Sequence, residues 1–210
     1  MTPPPELDHL VYATPDLERG IRDVGAHLGV EPTPGGQHPG IGTRNAIVAL
    51  GPRAYLEIIG PDPEQPDPPR WRPFGIDRLR DARLVTWAAR TADLERQVEM
   101  ARCGGLDLGA IVSMSRNRPD GARLSWRLTN PEVTHGGGIV PFLIDWGDSP
   151  HPASGLASSC PLVELRAEHP APNELNGQLE ALGLRLRVDA GPAPSLIAVL
   201  DSPNGRVELR

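Results

Sequence analysis

His9 and Glu57 are polar side chains set in runs that are otherwise largely apolar. His9 stands in Leu7-Asp8-His9-Leu10-Val11, and Glu57 in Tyr55-Leu56-Glu57-Ile58-Ile59. A buried carboxylate without a partner is costly, so Glu57 needs either a partner or a solvent-facing position. The alternation Leu56-Glu57-Ile58 allows both. One imidazole and one carboxylate suit a divalent ion such as Zn²⁺, Mn²⁺, Fe²⁺ or Ni²⁺, and either group can carry a proton. His38 lies in Gly36-Gln37-His38-Pro39-Gly40-Ile41-Gly42-Thr43, whose glycines let backbone come close to a ligand. Its ordinary pKa suits general acid–base work or donation to an oxyanion; the plainer reading is an exposed histidine on a surface loop. Thr43, Arg44 and Asn45 extend the polar stretch as candidate substrate contacts. Trp126 and Arg127 are consecutive in one strand, so only one can face a cleft. Trp146 and Phe142 either wall such a cleft or fill the core.

Other chemistries find little support. The run His135-Gly136-Gly137-Gly138 reads as a flexible loop and candidate lid, but lacks the Lys-Ser/Thr ending of a phosphate-binding loop. No Gly-x-Ser-x-Gly nucleophile elbow occurs. Cys103 and Cys160 share no metal-type spacing and read as reduced structural thiols of a cytoplasmic protein. A net charge of -6 without a block of like charges argues against nucleic acid and a membrane surface as partners. The start Met1-Thr2-Pro3-Pro4-Pro5-Glu6 has neither a basic nor an apolar region, so no secretory signal is expected. No apolar run approaches the roughly 20 residues of a membrane-spanning helix. The 210 residues, 39% hydrophobic, allow one domain or two small ones. Counts of Pro 25 and Gly 23 predict short strands joined by many turns.

The elements that must position these side chains recur along the chain. Leu7-Asp8-His9-Leu10-Val11-Tyr12-Ala13-Thr14-Pro15-Asp16-Leu17-Glu18 parallels Leu84-Val85-Thr86-Trp87-Ala88-Ala89-Arg90-Thr91-Ala92-Asp93-Leu94-Glu95. A third copy runs Leu162-Val163-Glu164-Leu165-Arg166-Ala167-Glu168-His169-Pro170 and then Asn173-Glu174-Leu175. Each is a strand, a turn with an N-cap candidate (Asp16, Asp93, Asn173) and a helix start. The helices carry single apolar stripes: Leu17, Ile21, Val24 and Leu28; Leu94, Val98 and Ala101; Leu175, Leu179 and Leu182. Each meets glycine, at Gly29, Gly104-Gly105 and Gly183. Further strands follow in each copy, and Asn204-Gly205 marks a hairpin. The expected organisation is a first unit over residues 1–60, a linker over 61–83, a second unit over 84–147, a linker over 148–160 and a shorter third unit over 161–210.

These residues resemble the glyoxalase-like branch of the vicinal oxygen chelate superfamily. The resemblance is carried by the opening segment through Glu18, the loop Gly35-Gly36-Gln37-His38-Pro39-Gly40-Ile41-Gly42-Thr43-Arg44-Asn45, and Tyr55-Leu56-Glu57-Ile58-Ile59. Arg118-Pro119-Asp120-Gly121 and Pro141-Phe142-Leu143-Ile144-Asp145-Trp146 add to it. It implies an α+β fold of βαβββ modules, with mixed sheets curled round a cleft. It also implies one metal ligand on the first and one on the last strand of a module. His9 and Glu57 take those places in the first unit. Glu164, six residues before Pro170 as His9 is before Pro15, and Glu208 on the final strand take them in the third. The second unit offers Thr86 in place of His9, with Asp145 near its last strand. A site of His9, Glu57, Glu164 and Glu208 would favour hard ions, Mn²⁺ or Mg²⁺. The resemblance implies a divalent-metal-dependent lyase or isomerase, or a dioxygenase, acting on a small oxygenated metabolite, with Glu57 and His38 as catalytic groups. Thr43, Asn45, Trp126, Arg127 and Trp146 would contact substrate. A missing second strand histidine lowers the dioxygenase reading. The rival is a metal-free binding or sequestration protein of the bleomycin-resistance kind, which Thr86 favours. Relatives of this type also imply a homodimer.

Overall fold

The repeated pattern is written in the same hydrogen bonds twice. Thr14 N donates to Ile59 O and Thr91 N to Ile144 O, both at 2.9 Å. Two residues on, Asp16 accepts from Arg19 N at 3.0 Å and Asp93 from Arg96 N at 3.1 Å, so each aspartate caps the helix it precedes. These facts come from a computed structural model that describes residues 4–65, 72–117, 121, 123–156 and 160–210. Met1-Thr2-Pro3, Arg118-Pro119-Asp120 and parts of both Pro/Gly-rich connectors lie outside the described residues.

The first run of elements is β1 (Glu6–Ala13), α1 (Leu17–Leu28), β2 (Thr33–His38), β3 (Thr43–Gly51) and β4 (Ala54–Pro61). The second is β5 (Arg83–Arg90), α2 (Leu94–Cys103), β6 (Ile111–Asn117), β7 (Arg123–Thr129) and β8 (Phe142–Asp145). The third is β9 (Leu162–His169), α3 (Pro172–Ala181), β10 (Arg187–Ala190), β11 (Ser195–Ser202) and β12 (Gly205–Leu209). The fold is α+β. The first two runs close one barrel in the order β1-β4-β3-β2-β6-β7-β8-β5. Strand β1 lies parallel to β4 and antiparallel to β5, whereas β2 and β6 meet at a single pair, Gln37 with Asn117.

The third run pairs differently. Its sheet runs β10-β9-β11-β12, so its last strand is separated from its first by β11, whereas β4 lies directly beside β1. One consequence concerns Glu164 and Glu208: they face the same Val199 from opposite sides instead of standing on adjacent strands. The N-cap expected at Asn173 is also corrected. Pro172 opens α3, with Ala171 as its cap residue, because proline is preorganised for the first helical position.

Strand alternation sorts the core into two layers. Val11, Ile59, Leu128 and Ile144 fill the barrel interior. Leu10, Leu56, Trp87 and Leu143 face outward and pack with Val24 and Leu28 of α1, Leu94 and Ala101 of α2, and Leu175 and Leu179 of α3. Ala167, Leu196, Ala198 and Leu200 of the third sheet join that same cluster. The glycine run does not form a lid. Gly136–Gly138 is a short 3-10 turn, a Cβ on Gly136 would meet Leu175, and one on Gly138 would meet Val85 O.

The hairpin between β11 and β12 caps the helix of the first run. Asn204 Nδ2 donates to Ala26 O at 2.9 Å and to His27 O at 3.2 Å, the last carbonyls of α1. The chain then turns at Gly29, φ 71, where a Cβ would lie 2.6 Å from Asn204 Oδ1. Asn204→Ala is expected to lower stability in denaturant unfolding by about 1 kcal/mol. Gly29→Ala is expected to lower it further, because it adds backbone strain to the lost space.

Candidate acid–base site in the barrel

The barrel interior holds a cavity of about 50 Å³, room for a few heavy atoms. Its polar floor comes from the first run: His9, His38, Thr43, Asn45 and Glu57. Its walls are mostly apolar and aromatic, including Phe74, Met114, Trp126, Leu128, Phe142, Ile144 and Trp146. Phe74 holds its place with φ 62, an uncommon conformation for a residue with a Cβ. Glu57 Oε2 lies 3.9 Å from His9 Nε2, and Oε1 lies 4.0 Å from His38 Nε2. Those gaps exceed a hydrogen bond, so both imidazoles face the carboxylate across space that a ligand oxygen or a water can occupy.

Asp8 holds His9 in this pose. The register of β1 on β5 shifts between Leu7 and His9, so two consecutive side chains both turn inward. Asp8 is fully buried and accepts from His9 Nδ1 at 2.7 Å, Trp146 Nε1 at 3.1 Å, His151 Nε2 at 3.2 Å and Arg90 Nη1 at 3.4 Å. Burial opposes its charge. The hydrogen bonds from His151 and His9, and their positive potential, outweigh that and hold its pKa well below the usual carboxylate range. An ionised carboxylate only accepts, so Nδ1 of His9 carries a proton, and in the neutral form of the ring Nε2 is the bare nitrogen facing the cavity. Tyr55 stacks on His9 at 4.6 Å between ring centroids. Burial, then Asp8 and Glu57, push its hydroxyl pKa well above the ordinary value, so it stays protonated.

Glu57 is steadied from behind. Asn45 Nδ2 donates to Glu57 Oε1, and Arg116 Nη1 reaches Asn45 Oδ1 at 3.4 Å. This layer fits because position 35 is glycine: a Cβ there would lie 2.0 Å from Asn45 Oδ1 and 2.7 Å from Arg116 Nη1. His38 Nδ1 pairs with Thr43 Oγ1 at 2.9 Å. Burial pushes the His38 pKa down to about 4; Glu57 opposes the shift and Arg116 adds to it. His38 is therefore neutral near pH 7.

The structure thus brings together His9, His38, Thr43, Asn45, Glu57, Trp126 and Trp146. Several expectations are corrected. His38 is not an exposed loop residue: it ends β2 and is buried, and the turn to β3 begins only at Pro39. Glu164 and Glu208 lie on the third sheet, where both pair with Arg166. Arg127 points away from the cavity, as alternation after Trp126 requires, and binds Glu95 and Asp145. Arg44 pairs with Glu18. Asp8, Tyr55, Arg116 and His151 carried no readable signal, although the bulge that turns Asp8 inward sits in the quoted Asp-His pair.

The donors do not fit the metal site that the resemblance implies. Ile144 stands in the second run where Ile59 stands in the first, by the equivalent bonds from Thr14 and Thr91. Phe142 therefore occupies the place of Glu57, and Thr86 that of His9. Among the described residues, no group of three or more His, Cys, Asp or Glu is arranged to hold a metal ion.

Two predictions follow from this geometry. The unfolded chain binds a proton at His38 below about pH 6.5 that the folded chain refuses until pH 4. The stabilisation from the neutral ring is complete above pH 6.5 and is lost as pH falls toward 4, about 3 kcal/mol in all. His38→Gln is expected to flatten that stretch of the stability–pH profile measured by denaturant unfolding. For Asp8, ¹⁵N NMR of the imidazoles is expected to show His9 protonated at Nδ1, with Nε2–H gaining population in Asp8→Asn. An unchanged tautomer in Asp8→Ala would show that another group fixes the ring.

The sequence matches the family described as glyoxalase-like domain over residues 7–183. No curated protein matches it. A hypothetical protein from Staphylococcus aureus is structurally similar, with TM-score 0.67, 12% identity, and coverage of 91% of this chain and 88% of the other. Methylmalonyl-CoA epimerase from Mycobacterium tuberculosis gives TM-score 0.43 and 22% identity over 68% of this chain and 88% of the other. A Streptomyces coelicolor methylmalonyl-CoA epimerase in complex with 2-nitronate-propionyl-CoA gives 0.45 and 19% over 70% and 98%. With the family match spanning most of its length, the chain belongs to the glyoxalase-like domain family of the vicinal oxygen chelate superfamily.

Proposed function

We propose that this protein is an isomerase- or lyase-type enzyme that moves a proton on a small oxygenated molecule held in the barrel. The reading is carried by the Glu57 carboxylate facing two imidazole nitrogens, at 3.9 and 4.0 Å, in a cavity with mostly apolar walls. Glu57 takes a proton from the carbon beside a carbonyl, and the C–H electron pair moves into an enolate. With the Thr43 hydroxyl donating to Nδ1, neutral His38 presents Nε2–H to the enolate oxygen. The bare Nε2 of His9 accepts from a substrate hydroxyl. Glu57 then returns its proton to the same carbon. The nearby Arg116 guanidinium supplies positive potential from the protein itself. No step runs through a metal, because the places of the second ligand pair hold Thr86 and Phe142. The same substitutions leave the dioxygenase reading without its second histidine. No helix among the described residues is long and apolar enough to cross a membrane. The unpaired Cys103 and Cys160 support a reducing, cytoplasmic setting.

The test is deuterium incorporation from D₂O, followed by NMR, into pyruvate, hydroxyacetone and lactaldehyde. Exchange above the protein-free rate is expected for at least one compound. It should survive dialysis against EDTA and fall by about 100-fold or more in Glu57→Gln. Full activity in that variant, or dependence on added Mn²⁺, would overturn the mechanism. Perturbed tryptophan resonances without exchange would favour the sequestration reading instead.

A further inference from the structure

We propose that the substrate has two parts: a compact oxygenated head in the cavity and a neutral, hydroxyl-rich tail in the groove outside it, as in a glycoside or polyol. This deepens the proton-transfer reading and rests on it. The cavity holds about 50 Å³, enough for a head of a few heavy atoms, while an open groove of about 750 Å³ adjoins it. Ile41, Met114, Trp126 and Trp146 line both spaces, so the groove is the way out for whatever the head is attached to.

The chemistry of the groove identifies the tail. Its four charged side chains cancel: Arg123 and Arg127 against Asp145 and Asp148. The positive charges are engaged, Arg127 by Glu95 and Asp145, and Arg123 by Ser115 Oγ at 2.9 Å. Among the described residues the groove offers no surplus positive charge to a polyphosphate, and the chain's net charge of -6 repels one. In contrast, the hydroxyls of Ser113, Ser115, Ser125 and Ser149 line the same groove. Ser113 and Ser125 can donate or accept, whereas Ser115 Oγ accepts from Arg123 and Ser149 Oγ bonds the backbone N–H and carbonyl of Ser125. Trp126 and Trp146, 5.1 Å apart between ring centroids and largely buried, contribute the small part of their rings that remains open to the same groove. Mixed hydroxyls with apolar edges between them match the alternating C–H and O–H surface of a sugar or polyol.

Three probes share an acetyl head and differ in the tail: acetamide, N-acetylglucosamine and acetyl-CoA. Titrations followed at the Trp126 and Trp146 indole N–H signals are expected to show N-acetylglucosamine binding at least tenfold tighter than acetamide, and acetyl-CoA no tighter. Ser125→Ala should weaken the sugar compound and leave acetamide unchanged. Asp148→Lys should improve acetyl-CoA alone, in a salt-dependent manner. Acetyl-CoA as the tightest ligand of the unaltered protein, or no gain from the sugar over bound acetamide, overturns the tail while sparing the cavity reading. Sugar binding without any response to acetamide overturns the cavity reading and spares the groove. Silence from all three overturns both.

Discussion

Burying carboxylates inside an apolar barrel is the constraint from which the rest of the site follows. Moving such a group from water costs several kcal/mol unless hydrogen bonds and opposite charge offset the loss. Asp8 meets that demand with four donors drawn from β1, β5 and the segment after β8. Glu57 meets it less completely: Asn45 supports one oxygen, and the histidines stand back at about 4 Å. The difference between these two carboxylates separates their roles. A fully satisfied group holds its neighbours in place, and a partly satisfied one is left to interact with something that arrives.

The barrel is built from two copies of one pattern, yet its chemistry sits in one half. Thr14 and Thr91 make equivalent bonds, and Asp16 and Asp93 cap equivalent helices. The inward positions have diverged: His9 and Glu57 in the first copy correspond to Thr86 and Phe142 in the second. Backbone symmetry is enforced by hydrogen bonds that every residue type can make. Inward side chains are free of that demand, so one half can keep most of the polar groups while the other supplies Arg116 and most of the apolar wall that strengthens them.

How far the sequence foretold this depends on the kind of signal. Periodic apolar stripes and caps report local physics, and α1 and α2 fall where Leu17–Leu28 and Leu94–Cys103 place them. His9 and Glu57 were legible because a polar residue stands out in an apolar strand. Glu164 and Glu208 stand out by the same rule but lie on a sheet with a different strand order, which no local pattern encodes. Asp8 was hidden because its inward turn depends on a register slip against β5, a non-local event. Arg116 was hidden because its berth depends on the glycine at position 35 across the barrel.

The layer of helices has one more consequence. α1 and α2 turn their apolar faces to a cluster that includes both barrel and third-sheet residues, and Asn204 completes the end of α1. The third run therefore acts as a roof over surfaces that the barrel alone would leave wet. Shortening the gene to the two barrel runs would bare leucines such as Leu28 and Leu94 and invite aggregation. The portion of the chain with no part in the chemistry is thus inseparable from it as folding material, and the smallest useful unit for expression or redesign is all three runs together.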